Sequence, residues 1–288
     1  MISAATVQTG VPPGLTSPSL FNRVRASLRD ACLAEFRALR EYRALKPTLE
    51  KVRLLSMVPE PALRGLAQQL QDVLREGIQG DFVECGVWRG GASFLMADLL
   101  RRAGVKHRKV WLCDSFEGLP PPEPIDGPLA LRYAQSPNSP WYLDNCSASL
   151  EEVQASAKAL GLAGYVEFVK GWFNESLPIA RDRIGPIALL RIDADWHASV
   201  RACLDNLYDQ VTDGGSIILD DYYIYDGCAV AVHEFLGERR LSHRITSAGG
   251  VAIFEKHVPK ESAPINGPPR KEQTRATANA SSSAKVTL

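Results

Sequence analysis

The sequence lacks several features that would assign it to a class of protein at once. Its six cysteines form no Cys-x-x-Cys pair, and its first 20 residues lack the charged start and apolar centre of a signal peptide. No apolar run approaches the roughly 20 residues that span a bilayer. Lys plus Arg and Asp plus Glu each number 33, so no basic excess favours nucleic acid or an anionic membrane. We therefore expect a cytoplasmic protein with reduced thiols that binds neither nucleic acid nor membrane.

The composition is that of an ordinary globular protein, with 45% hydrophobic and 23% charged residues. Residues 1–20 are rich in Ser, Thr, Pro and Gly and predict a flexible N-terminus. Residues 258–288 are polar and predict a disordered tail, because they cannot bury enough apolar surface to offset the entropy of ordering. Apolar residues at helical spacing predict a helical extension over 21–79. The main domain is then expected at 80–257.

Short apolar runs alternate with helical patterns through this main domain. Strands are predicted at 81–85, 109–113, 165–169, 187–192, 216–219, 242–246 and 250–255, and helices at 92–103, 148–160, 198–210 and 228–237. Such alternation indicates βαβ units, and hence an α/β fold with a mostly parallel sheet and helices on both faces. Ligands of these sheets bind at the carboxyl ends of the strands, near the switch in strand order.

A glycine-rich turn follows the first predicted strand, in the stretch VECGVWRGGAS. Glycines let the backbone approach a ligand closely, and a helix N-terminus follows. The spacing of Gly86, Gly90 and Gly91 does not match the GxGxxG fingerprint of dinucleotide sites. Glu84, just before the turn, would repel a pyrophosphate and favours a cationic ligand. The alternative is a plain strand-to-helix turn.

Two further strand ends carry residues that suit a nucleoside. Asp114, at the end of the second strand, can accept hydrogen bonds from both ribose hydroxyls of an adenosine, although exposed loop acids are common. Trp172 and Phe173 follow the third strand and could enclose an adenine ring or pack in the core. Together with the glycine turn, Asp114 favours an adenosine-containing ligand.

Carboxylates cluster after the fourth and fifth strands. Asp193 and Asp195 follow the fourth strand, and the adjacent Asp220 and Asp221 follow the fifth. Neighbouring parallel strands bring their ends within about 5 Å, so these acids can converge. Adjacent acids are costly to desolvate without a compensating charge. A hard cation such as Mg²⁺ would supply that charge, whereas the alternative is an acidic rim or a set of helix caps.

The combination of these motifs resembles a known family. The stretches GDFVECGVWRGGASFLM, DSFEGLPPP, RIDAD and GGSIILDDYY resemble the macrocin O-methyltransferase (TylF/MycF) family of class I S-adenosylmethionine-dependent methyltransferases, over roughly residues 53–256. The resemblance implies a Rossmann-like, seven-stranded, mostly parallel sheet with an antiparallel last strand, and a methyltransferase domain at 80–257. It implies Mg²⁺-dependent methyl transfer from S-adenosylmethionine to a sugar hydroxyl of a glycosylated natural product or glycan. A homo-oligomer is also expected.

The resemblance also implies roles for individual residues. Asp193, Asp220 and Asp221 would hold the metal, and Asp193 or His197 would act as the base. The glycine turn and the acid after the second strand would bind the cofactor, whose sulfonium suits Glu84. The implied cofactor contacts are Glu84, Gly86, Val87, Trp88, Arg89, Gly90, Gly91, Asp114, Ser115 and Trp172.

Two features depart from the family pattern. After the acidic turn, Trp196 and His197 stand where an aliphatic residue and Tyr are expected. Family members often carry a histidine near the acceptor, yet residues 116–150 contain none. The Pro-rich segment 116–146 predicts either a lid over the substrate or a long surface loop. A catechol-type acceptor competes with a sugar, because any vicinal diol could chelate the metal. An NAD-dependent oxidoreductase and a non-catalytic nucleotide-binding protein are the more distant alternatives.

Overall fold

Helices and strands alternate along most of the chain in the computed structural model, which describes residues 40, 42–139 and 142–257. The predictions of a flexible segment at 1–20 and a disordered tail at 258–288 lie outside the described residues. In the part of the chain that is described, no helix has both the length and the apolar character to cross a membrane.

The described residues form seven strands and eight α-helices. The strands are β1 (Asp81–Cys85), β2 (Val110–Asp114), β3 (Val166–Lys170), β4 (Ile187–Ile192), β5 (Val211–Leu219), β6 (Thr246–Ala248) and β7 (Val251–Glu255). The helices are α1 (42–52), α2 (Glu60–Arg75), α3 (Gly91–Arg102), α4 (Gly127–Ala134), α5 (Leu150–Ala159), α6 (Phe173–Ile184), α7 (His197–Leu207) and α8 (Asp226–Glu238).

All seven strands form one sheet, in the order β3-β2-β1-β4-β5-β7-β6. The first five pair in parallel, and β7 runs antiparallel to both β5 and β6. The predicted Rossmann-like class, a mostly parallel seven-stranded sheet with an antiparallel last strand, is confirmed. The strand order reverses between β1 and β4, and the site lies there.

Helices cover both faces of this sheet. Side chains of α1, α2, α3 and α5 form one core with the sheet, and those of α6, α7 and α8 form a second core on the other face. Strand β4 is buried along its whole length, as a parallel strand covered on both faces should be. Since α1 and α2 share a core with the sheet, the N-terminal helices pack as part of the same unit.

The prediction for the sixth strand was wrong in position. A strand was predicted at 242–246, but β6 covers Thr246–Ala248. Gly249 and Gly250 both have positive φ, at 66° and 93°, and form a two-residue turn that pairs the residues directly beside it. His243 instead stacks on Phe254, with ring centroids 5.2 Å apart. The turn, rather than the apolar pattern, therefore determines the position of β6.

Candidate active site

The register of the central strands brings the end of each strand to the same level. Cys85 of β1 pairs with Cys113 of β2 and with Ile192 of β4, and Ile192 pairs with Leu219 of β5. The next residue in each strand therefore lies in one row. That row, in the order of the sheet, is Asp114, Gly86, Asp193 and Asp220.

The turn after β1 is held by Asp114. One oxygen of Asp114, Oδ2, accepts hydrogen bonds from the backbone N–H of Val87 at 2.7 Å and of Trp88 at 3.3 Å. The other, Oδ1, accepts from the N–H of Phe116 at 2.7 Å. Burial raises the pKa of Asp114, although these N–H groups favour the ionised form. Asp114 thus fixes the glycine turn against the loop that follows β2.

The glycines of this turn are required for close packing of the backbone within the protein. Gly86 has φ 85°, and a Cβ there would lie 1.7 Å from the carbonyl oxygen of Asp193. A Cβ on Gly91 would lie 2.5 Å from the carbonyl oxygen of Leu55. These positions were predicted to let backbone approach a ligand. In the structure they let one segment of backbone approach another, which packs the turn against β4 and the N-terminal segment.

Two adjoining clefts open at this row and share Gly86, Asp114 and Asp193 in their walls. The narrower, of about 330 Å³, is also lined by Ser115, Trp172 and Phe173. The wider, of about 1070 Å³, contains the acids after β4 and β5. Its lining also includes Met57, Val58, Pro59, Trp88, Leu119, Tyr133, Cys146, Ile224 and Tyr225.

The acids after β4 and β5 converge as predicted. One ligand atom from each of Asp193, Asp220 and Asp221 can be chosen so that all lie within 4.8 Å of one another. Burial raises the pKa of Asp221 well above its usual range, and the charges of Asp195, Asp193 and Asp220 add to that shift. Burial likewise raises the pKa of Asp220 to about 6, against the lowering effect of Arg191. A cation would relieve this crowding, and an all-oxygen donor set fits Mg²⁺.

A buried arginine, missed in the sequence, connects these acids to β1. Arg191 of β4 is 2% exposed. Its Nη1 donates to Asp193 Oδ2 at 2.8 Å and to Glu84, and its Nη2 donates to Asp220 Oδ1 at 2.5 Å. Glu84 also accepts from Ser93, and burial raises its pKa to about 7. The available signal was a single arginine inside an otherwise apolar strand that ends in acids.

The predicted cofactor residues divide between the cleft walls and positions behind them. Gly86, Trp88, Asp114, Ser115 and Trp172 line the clefts. Glu84 lies beneath the turn on Arg191, and Val87 is buried and bonded to Asp114. Arg89 is exposed, lies over the ring of Trp88, and lines a separate cleft beside α5. Gly90 and Gly91 begin α3. Among the described residues, those two glycines, Glu84, Val87 and Arg89 are absent from the walls of both clefts.

His197 lies away from the acids. Its Nε2 is 2.7 Å from an oxygen of Glu234 on α8, and its backbone N–H donates to Asp126 at 2.7 Å. Its side chain therefore faces a neighbouring helix, and His197 is absent from the described lining of the two clefts. The carboxylate that the structure adds beside Asp193 is Asp195, which lines the wider cleft and has a left-handed backbone, with φ 55°.

The segment 116–146 covers part of the wider cleft. Trp196 donates its ring N–H to the carbonyl oxygen of Pro120 at 2.8 Å. Ala130 of α4 packs with Trp196 and Tyr225 in a third, small core. Leu119, Tyr133 and Cys146 of this segment line the cleft. Part of the described segment thus forms a wall of the site.

The order of the seven strands and the cleft at their switch point have the arrangement of a methyltransferase fold. The chain belongs to the macrocin O-methyltransferase (TylF) family, whose model matches residues 26–257.

Named relatives support this assignment. The chain is 36% identical to the 8-demethyl-8-(2,3-dimethoxy-alpha-L-rhamnosyl)-tetracenomycin-C 4'-O-methyltransferase of Streptomyces olivaceus, over 70% of this chain and 75% of that enzyme. It is 38% identical to the demethyldecarbamoylnovobiocin O-methyltransferase of Streptomyces niveus, over 62% of this chain and 67% of that enzyme. The solved structure of the O-methyltransferase NovP is 32% identical and superposes with a TM-score of 0.64, covering 71% of this chain and 83% of that one.

Proposed function

We propose that the protein transfers a methyl group from S-adenosylmethionine to a sugar hydroxyl of a glycosylated natural product, with Mg²⁺ bound by Asp193, Asp220 and Asp221. The observation that carries this proposal is the convergence of these three acids within 4.8 Å, on the rim of a cleft that also contains Gly86 and Asp114. A donor site and a metal site that share one wall can align an acceptor oxygen with a methyl group.

The narrower cleft is assigned to the adenosine end of the donor. Asp114, fixed by three backbone N–H groups, would accept hydrogen bonds from the ribose hydroxyls. Trp172 and Phe173, on the same cleft, present aromatic surface that suits an adenine ring. The sulfonium cation would lie toward the acids after β4, where negative charge is concentrated.

Methylation of a sugar hydroxyl requires loss of its proton. When bound, Mg²⁺ lowers the pKa of a coordinated hydroxyl and fixes its direction. We assign Asp193 as the base that accepts this proton, because Asp193 lines both clefts and belongs to the acid cluster. Asp195, on the same wall, is the neighbouring acceptor. His197 is paired with Glu234 instead.

The outer part of the wider cleft is assigned to the aglycone. Met57, Val58 and Pro59 approach from the segment before α2, and Ile224 approaches from the loop after β5. Met57 is 40% exposed and Ile224 is 50% exposed, so both present apolar surface at the mouth. The named relatives act on a rhamnosyl-tetracenomycin and on a novobiocin derivative. We therefore expect an acceptor that joins a polar sugar to an apolar body.

Calorimetric titration with S-adenosylmethionine, with NAD⁺ as the control ligand, tests the donor. Binding of S-adenosylmethionine alone is expected, whereas binding of NAD⁺ alone would contradict the proposal. A panel of glycosides, their free sugars and catechol then tests the acceptor by mass spectrometry. Methylation of a glycoside is expected, and methylation of catechol alone would transfer the assignment to a catechol-type enzyme.

A further inference from the structure

Each acid of the proposed metal site has one oxygen engaged by a donor of the protein. Arg191 donates to Oδ2 of Asp193 at 2.8 Å and to Oδ1 of Asp220 at 2.5 Å. The backbone N–H of Asp195 donates to Oδ2 of Asp221 at 3.0 Å. Among the described residues, these three hydrogen bonds leave the second oxygen of each carboxylate for a cation.

These donors are held in place by the fold. Arg191 is 2% exposed and lies in the buried strand β4, between β1 and β5. It is also bonded from the β1 side by Glu84, whose other oxygen accepts from Ser93. Charge-assisted hydrogen bonds in such a buried place are strong, and breaking one leaves a charge without its partner. Turning Asp193 or Asp220 to present both oxygens outward would break such a bond.

We infer that Arg191 restricts Asp193 and Asp220 to one-oxygen ligation and thereby makes the site selective for Mg²⁺ over Ca²⁺. This inference rests on the metal site of the proposed function. Mg²⁺ demands an octahedron of close oxygens and keeps several waters, which one oxygen from each acid allows. Ca²⁺ takes about 6–8 oxygens, often both oxygens of one carboxylate. The hydrogen bonds from Arg191 oppose that second mode.

The variant Arg191→Lys distinguishes the effect of the hydrogen bonds of Arg191 from the effect of its positive charge. The lysine ammonium keeps the positive charge but lacks the planar fork that reaches two carboxylates at once. Loss of a partner that orients metal ligands typically lowers affinity by roughly 10–100-fold. For Arg191→Lys we expect a loss of this size for Mg²⁺ and a smaller loss for Ca²⁺. The ratio of the two affinities should then fall by about tenfold.

The measurement is calorimetric titration of the metal-free full-length protein with Mg²⁺ alone and with Ca²⁺ alone. Arg201→Lys is the matched control, because Arg201 bonds to two acids, Asp205 and Glu238, on the outer helices. The control should keep the wild-type ratio. An unchanged ratio in Arg191→Lys would overturn the inference, and so would an equal change in Arg201→Lys.

The wild-type protein distinguishes failure of the inference from failure of the proposed metal site. If the wild type binds neither cation, the metal site is wrong and the inference falls with it. If it binds both equally, the metal site stands and the selectivity is wrong. Binding that favours Mg²⁺ supports the inference.

Infrared spectroscopy of the wild type gives a second test that does not depend on a variant folding. One-oxygen ligation separates the antisymmetric and symmetric carboxylate stretches widely, and two-oxygen chelation narrows the gap. We expect the wide separation with both Mg²⁺ and Ca²⁺. Bands of two-oxygen chelation in the Ca²⁺ form would overturn the inference.

Discussion

The two halves of the cleft are built by different means. In the half proposed to bind the donor, the central residues are fixed by backbone contacts, since Gly86 accommodates a carbonyl group of the neighbouring turn and Asp114 is fixed by N–H groups. The half proposed to bind the acceptor depends on side chains from distant parts of the chain, such as Met57, Tyr133 and Ile224, around a cluster of acids. Substitutions in the two halves should therefore affect different steps.

The largest effect is expected where the acids converge. Asp220→Asn with Asp221→Asn removes two of the three proposed ligands. Metal-dependent turnover should fall by more than about a hundredfold, because altering even residues that only support a ligand costs roughly 10–100-fold. Affinity for S-adenosylmethionine, measured by calorimetry, should remain within about threefold, since the donor half is untouched. Normal methylation by this variant would show that the acids hold no catalytic metal.

A smaller effect, on binding rather than turnover, is expected in the donor half. Asp114→Ala removes the acceptor of three backbone hydrogen bonds and the carboxylate assigned to the ribose. Because hydrogen bonds to a charged group contribute about 1.5–3 kcal/mol each, S-adenosylmethionine should bind about 10–100-fold more weakly. Mg²⁺ titration of the same variant is the control and should match the wild type. Equal losses for donor and metal would mean that the two halves are not separable.

The apolar mouth should affect acceptor binding only modestly. Met57→Ser and Ile224→Ser would each leave part of the apolar surface of the bound acceptor in contact with water. The effect should be modest because both side chains are already partly exposed to solvent. We expect KM for a glycoside to rise about three- to tenfold, from roughly 1 kcal/mol of lost burial, with kcat little changed. The free sugar should show no such rise in KM. A fall in kcat without a change in KM would contradict the aglycone assignment.

The smallest effect is expected at His197. Because its ring contacts Glu234 of α8, away from the walls of both clefts, His197→Gln should change kcat by less than about threefold. The pH profile of kcat should keep its shape. Loss of the acidic limb of the kcat profile, where activity falls as a base becomes protonated, would instead restore His197 as the base.

The contrast between the two halves also explains what the sequence could predict. Strands β1 and β4 have the predicted bounds, because Gly86 directly follows β1 and Asp193 directly follows β4. The meeting of Asp193 with Asp220 follows from those strand ends, since adjacent parallel strands share a register. Local pattern and one general rule were enough for the α/β class and for the acid cluster, whereas the seven-stranded sheet with its antiparallel last strand was implied by the family resemblance.

Other parts of the site depend on contacts that local pattern does not contain. The role of Arg191 depends on its hydrogen bonds to Glu84 on β1 and to Asp220 directly after β5. Met57 and Ile224 are far apart in sequence and meet only through packing of the N-terminal segment over the sheet. Gly86 was predicted to let backbone approach a ligand, and its close approach to the carbonyl group of Asp193 is a further requirement that local pattern does not show. Each of these features depends on contacts between residues that are far apart in the sequence.

The central claim is that the acids after β4 and β5 bind a metal on which methyl transfer depends. The most direct measurement is the methylation rate of a glycoside by the purified protein, first after treatment with EDTA and then after Mg²⁺ is restored. We expect EDTA to abolish turnover, Mg²⁺ to restore it, and binding of S-adenosylmethionine to persist throughout. Undiminished turnover in EDTA would contradict the dependence on a metal.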